Sequence, residues 1–212
     1  MPGPPESPVR ASSVPAKTLC PVVLRVPESI RNHPLRGRAP LLGRFAREAV
    51  LASARQSGLA FFSLEALAKN EDGVPLPVRG WHWSLSHKPE FVAGVVSSVP
   101  VGIDLERPGP RHPGLFDKTG TDVEWACLGG RNWPNFFRLW TAKEAALKAL
   151  GAGLAGLGDC RLIARNRDRI HLEAGGRRWS VDSAARAEFV VAVTAGDAAV
   201  AWEFRESRPE AG

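Results

Sequence analysis

Three cysteines, Cys20, Cys127 and Cys160, stand far apart in the 212-residue sequence, and none belongs to a C-x-x-C pair. A zinc-ribbon framework or a set of disulfide staples is therefore excluded. A reducing cytoplasm is the compartment such a chain implies. No run is long and apolar enough to span a bilayer. The opening MPGPPESPVRASSVPAK lacks the apolar stretch of a secretory signal, so residues 1–18 read as a tail, and 207–212 as another. There is no G-x-S-x-G elbow for a hydrolytic serine. A zinc finger, an RNP-like motif and a regular basic stripe are all missing, which argues against nucleic acid as the partner. Lysine is scarce: of 28 basic residues only those at 17, 69, 88, 118, 143 and 148 are Lys. A chain that so favours arginine keeps Lys where a compact, strongly hydrated ammonium is needed, and Lys143 and Lys148 lie close together.

What is present describes a globular protein. Hydrophobic residues make up 44% and charged residues 24%, enough for a core without staples. The net charge of +6 suits a polyanionic partner: nucleic acid, anionic lipid, a phosphorylated small molecule or an acidic protein.

Residues 19–26 read as a strand and 27–40 as a basic irregular stretch. Residues 41–56 have helical spacing, with Leu42, Phe45, Ala49 and Ala52 on one side. The segment 69–80 (KNEDGVPLPVRG) is a turn-rich loop. Apolar runs at 91–99 and 101–106, divided by Pro100, fit a hairpin or neighbouring strands. Thr121 followed by Glu124 predicts a capping box opening a short helix over 121–128. The spacing predicts a longer helix over 134–150, stopped at Gly151 and Gly153. Short strands follow at 161–164, 169–173, 179–182, 188–194 and 198–204. EFVAGVVSSVPVGIDLE (90–106) and EFVVAVTAGDAAVAWEF (188–204) share an opening and a two-strand rhythm, the mark of two similar units.

Three segments carry candidate chemistry. In VGIDLE, strand alternation puts Asp104 and Glu106 on one face and Val101, Ile103 and Leu105 on the other. Two adjacent carboxylates suit Mg²⁺, which prefers oxygen ligands and takes phosphate oxygens as well; acids facing water at a strand end are the ordinary alternative. In FFRLWTAKEAALKALGAGL (136–154) the helix is apolar almost all round, yet Lys143, Glu144 and Lys148 fall within an arc of roughly 140°. That pattern reads either as a carboxylate flanked by phosphate-binding ammonium groups or as a plain i,i+4 surface pair. In WSLSHKPEF (83–91), Ser86, His87 and Lys88 are candidate phosphate ligands or a capped turn.

GIDLE, with WTAKEAALK about forty residues on, resembles the paired signature of the 4'-phosphopantetheinyl transferases. SLSHKPEFVAGVVS resembles the segment that precedes that signature in the long, two-lobed Sfp-type class, and RAPLLGRFAREAV and GVPLP resemble its first lobe. The resemblance runs from about Arg31 to Phe204. It implies that Asp104, Glu106 and Glu144 hold Mg²⁺ against the coenzyme A pyrophosphate. Lys143 and Lys148 would contact the phosphates, with Glu144 and Lys148 catalytic. His87, with Ser86 and Arg38, would hold the 3'-phosphate end, and Gly73–Pro75 would line the adenine pocket through backbone. The chain departs from the pattern at Val74, where some members have Lys in the G-x-P loop.

The implied fold is α+β, a pseudo-twofold pair of similar lobes, each with a helix on a small antiparallel sheet: an N-terminal lobe at 19–100 and a C-terminal lobe at 101–206. The implied activity moves phosphopantetheine from coenzyme A to a serine of an apo acyl, peptidyl or aryl carrier protein. That partner is expected to be acidic and the enzyme cytoplasmic and monomeric, with neither nucleic acid nor membrane as partner. The alternatives are a basic nucleic-acid-binding module and a metal-dependent phosphoesterase.

Overall fold

A computed structural model describes residues 18–166 and 169–206. The expected tails lie outside the described residues, apart from Thr18. The chain begins with β1 (Thr18–Leu19), β2 (Val22–Arg25), the short α1 (Glu28–Arg31) and the long α2 (Leu35–Gln56). Next come β3 (His82–His87), β4 (Phe91–Ser97) and β5 (Ile103–Glu106), then α3 (Leu115–Thr119), α4 (Asp122–Leu128) and α5 (Trp133–Leu150). A 3₁₀ turn at Leu154–Asp159 leads to β6 (Arg161–Asn166), β7 (Arg169–Ala174), β8 (Arg177–Ala185), β9 (Val190–Thr194), β10 (Ala199–Val200) and β11 (Glu203–Arg205). The fold is mixed α+β, with helices packed on sheets.

The stretch 27–40 is not irregular as expected. Pro27 and Pro34 each stand at an N-cap, where a missing N–H costs nothing, and helices start directly behind both. Pro40 lies inside α2, where it forgoes the bond to the carbonyl four residues back. At α4 the capping box forms as expected: Thr121 Oγ1 accepts from the Glu124 N–H, and the Glu124 carboxylate accepts from the Thr121 N–H. For α5, Asn132 caps the start by accepting from the Asn135 N–H, and Gly151, at φ 74°, closes the end in the left-handed region.

The strands build two main sheets, in the orders β11-β2-β4-β3 and β5-β9-β8-β7-β6, with β1 and β10 as a separate parallel pair. Here a second expectation is corrected. β4 and β5 are neither a hairpin nor ladder neighbours; they belong to different sheets, because residues 98–102 carry the chain across before it extends again. The similar segment near the C-terminus crosses the other way, from β9 in the second sheet to β11 in the first.

Alternation sorts each strand between two cores. Phe91, Ala93 and Val95 join Ile103, Leu105, Val191 and Val193 in a core shared by the sheets. The other face of β4 packs under α2, and that of β9 under α5. Both helices are pressed onto backbone at a glycine. A Cβ at Gly94 would stand 2.3 Å from the Val50 nitrogen, and one at Gly102 would stand 1.9 Å from the Ala145 oxygen. This close approach of α5 to the start of β5 brings its polar stripe against Asp104. No helix among the described residues is long and apolar enough to cross a membrane.

Candidate active site

The site lies where the two sheets meet along their edge strands β3 and β5. Serine hydroxyls join these edges: Ser84 Oγ accepts from the Ile103 N–H at 3.1 Å, and Ser86 Oγ from the Leu105 N–H at 3.2 Å. Edge N–H groups that would otherwise be buried without partners are satisfied in this way. Ser86 also donates to Asp104 Oδ1 at 3.0 Å. Its hydroxyl thus fixes a carboxylate, and the part sketched for it at a phosphate is not the contact it makes here.

Ile103 and Leu105 are wholly buried in the core between sheets, so Asp104 and Glu106 point the other way, toward α5. Along that helix Trp140, Glu144 and Lys148 recur every four residues and form one stripe. Asp104 is 5% exposed, and its Oδ1 accepts from Lys148 Nζ at 2.7 Å. Lys148 also donates to the Ile103 carbonyl at 3.1 Å. Glu106 Oε1 accepts from Lys88 Nζ at 2.7 Å and from the Trp140 indole at 3.3 Å. Glu144 sits between these pairs. Burial, then the charges of Asp104 and Glu106, push its carboxyl up to about 7 against the opposing pull of Lys148 and Lys88.

His87 ends β3 with its ring still reaching solvent. The protein packed around it, then the charges of Lys148, Lys88 and Lys69, hold its imidazole below the usual histidine range. A cavity of about 180 Å³ adjoins this basic group. Lys69, Gly73, Pro75, Leu85, Lys148 and Gly151 are among its walls, so two of the three backbone positions expected to line a pocket do so.

Two expected residues stand elsewhere. Arg38 lies in the second turn of α2, and its Nε and Nη2 both donate to the His33 carbonyl. Lys143 is 3% exposed and pairs with Glu124 Oε1 at 2.8 Å, inside the contact between α5 and α4. Helical geometry explains the split: Glu144 and Lys148 are about 40° apart around the axis, whereas Lys143 lies roughly 100° from Glu144. Sequence reasoning missed Lys69 and Trp140. Lysine scarcity could have flagged the first and the i,i+4 step to Glu144 the second.

Among the described residues no three His, Cys, Asp or Glu side chains form a ready metal cluster. The donor set nonetheless fits a hard divalent cation in its chemistry. It consists of carboxylates only, and Asp104 Oδ2 is buried with no hydrogen-bond partner. A cation there would satisfy that orphan oxygen and relieve the repulsion that raises Glu144.

Residues 100–201, which contain both carboxylate strand and α5, match the model of the 4'-phosphopantetheinyl transferase superfamily. That segment belongs to the superfamily, as the paired GIDLE and WTAKEAALK signature led one to expect. The chain is 34% identical over 90 residues to the 4'-phosphopantetheinyl transferase gsp of Aneurinibacillus migulanus, covering 41% of this chain and 38% of that one. It is 33% identical over 90 residues to 4'-phosphopantetheinyl transferase psf-1 of Bacillus pumilus, covering 41% and 39%. With 4'-phosphopantetheinyl transferase ffp of Bacillus subtilis it shares 28% over 120 residues, covering 54% and 53%. The aligned stretches thus span between about two fifths and half of these relatives' lengths.

Proposed function

We propose that this protein is a 4'-phosphopantetheinyl transferase that uses coenzyme A as donor and a serine of an apo carrier protein as acceptor. The observation that carries this reading is the convergence of Asp104, Glu106, Glu144 and Lys148 beside a cavity edged by Lys69 and the 73–75 backbone. Phosphoryl transfer of this kind needs positioning and positive charge more than a protein nucleophile.

In the reaction the carrier serine oxygen bonds to the phosphorus that bears pantetheine. The bond from that phosphorus to the bridging oxygen breaks, and 3',5'-ADP leaves. Lys148, anchored on Asp104, presents its remaining N–H donors to the charge that builds on the bridging oxygen. Glu144, with a carboxyl that titrates near neutrality, takes the serine proton directly or through water. Mg²⁺ would be held by Asp104, Glu106 and Glu144 and would supply further charge to the pyrophosphate oxygens. Lys88 fixes Glu106, and His87 faces the terminal phosphate.

The acceptor is an acidic acyl, peptidyl or aryl carrier domain, steered by the net charge of +6. It docks beside α3 and α4 and the start of α5, where Trp133 is half-buried against Phe116 and Phe136. The enzyme works as a cytoplasmic monomer. Mass spectrometry of a panel of apo carrier proteins, incubated with the full chain, coenzyme A and Mg²⁺, tests the reading. One carrier should gain a phosphopantetheine on serine; release of phosphate from simple esters, with no carrier modified, would replace the transferase by a phosphoesterase.

A further inference from the structure

Lys69 is a lysine that the mechanism above leaves unused. It opens a tight hairpin in which Asn70 and Val74 exchange backbone contacts and Asn70 Oδ1 also accepts from the Val74 N–H. A bridge between Lys69 and Pro75 closes the base of that hairpin. The side chain is thereby set on the wall of the 180 Å³ cavity, opposite Lys148 and Gly151 at the end of α5. Lys69 has no ion-pair partner among the described residues, whereas Lys88 and Lys148 are each tied to a carboxylate. Its surroundings are instead cationic. Partial burial, then Arg47 and Lys148, hold its ammonium below the usual lysine range.

The cations around the cavity are graded from one end to the other. Glu144 feels Lys148 and Lys88, while His87 feels Lys148, Lys88 and also Lys69. Lys69 therefore lies on the His87 side, away from the carboxylates that would face a pyrophosphate. Like charges gathered without an anion are unfavourable, and a doubly charged phosphate monoester is the small anion that most relieves them. Position 74 offers no charge there, since it is valine.

We propose that Lys69, together with His87, grips the terminal phosphate monoester of the donor and is the residue by which this chain discriminates coenzyme A from its dephosphorylated form. The proposal rests on the transferase reading and adds a specificity residue to it. Lys69 acts on binding of that phosphate alone, and the transfer step itself is left to Lys148 and Glu144.

Calorimetric titration of the full chain with coenzyme A and with dephospho-coenzyme A, in Mg²⁺ and without carrier, tests this. Lys69→Met should weaken coenzyme A by about tenfold, the cost of one charge-assisted contact, and leave dephospho-coenzyme A unchanged. Lys69→Arg should keep most of the discrimination, and Lys69→Met/Val74→Lys should restore part of it. Because the side chain is exposed and makes no bond in the fold, the unliganded melting temperature should not move. If Lys69→Met binds coenzyme A as tightly as wild type, or weakens both ligands alike, the role of Lys69 is overturned while the transferase reading stands. If wild type binds neither nucleotide, the reading fails and the proposal fails with it.

Discussion

The ammonium of Lys148 lies 2.7 Å from Oδ1 of Asp104, tying the last turn of α5 to the strand β5. The bond holds a nearly buried carboxylate in its charged form and fixes the ammonium at one end of the cavity. Lys148→Met removes both services at once. Turnover should fall by about a hundredfold or more, as it does when a preorganised donor to developing charge is lost. The melting temperature should also drop, since Asp104 is left with Ser86 as its remaining donor. Near-normal steady-state rates in this variant would remove Lys148 from the mechanism.

Glu144 gives a pH dependence of known sign. Its carboxyl is raised from 4.5 to about 7, so the folded state binds a proton more tightly than the unfolded state does. Stability contributed by that proton is present below about 4.5 and is lost as pH rises toward 7. Thermal melts in EDTA between pH 5 and 8 should show wild type losing more stability than Glu144→Gln, and Mg²⁺ should reverse the loss in wild type alone. The same variant should be folded and nearly inactive, because the amide is neither a base nor an equal ligand for Mg²⁺. Parallel melting curves for the two proteins would show that Glu144 is not strained by its neighbours.

Lys143 pairs with Glu124, which also accepts from the Thr121 and Leu162 N–H groups, so one buried carboxylate joins α4, α5 and β6. Lys143→Met should cost about 3–5 kcal/mol in urea unfolding by leaving that charge uncompensated. Lys143→Met/Glu124→Gln should recover part of it. A phosphate ligand would behave differently: the single variant would keep its stability and lose affinity for coenzyme A in the same titration.

For the carrier, Trp133→Ala should raise the apparent KM and leave coenzyme A affinity alone, with modest cost to the aromatic cluster it edges. Raising salt should slow the wild-type reaction by screening the steering charge. A change in coenzyme A binding with carrier kinetics intact would place the docking surface elsewhere.

Much of this protein was written in short-range chemistry. The capping box at Thr121 and Glu124, the Asn132-to-Gly151 limits of α5 and the alternation that turns Asp104 and Glu106 to one face are local rules of φ, ψ and side-chain period. The GIDLE and WTAKEAALK motifs likewise showed which residues carry charge where the chain can spare few polar groups. Whether two nearby charges meet was not local. Lys143 and Lys148 looked alike in sequence, yet a difference of about 140° around one helix sends the first to Glu124 and the second to Asp104. Strand partners were also undetermined. β4 and β5 looked like a hairpin, but the crossing at 98–102 places them in separate sheets, because a run of apolar residues states that it will be buried and not against what. The cavity wall at Lys69 and the orphan oxygen of Asp104 exist only once α5 is pressed onto backbone at Gly102, a contact set by packing between segments distant in the chain.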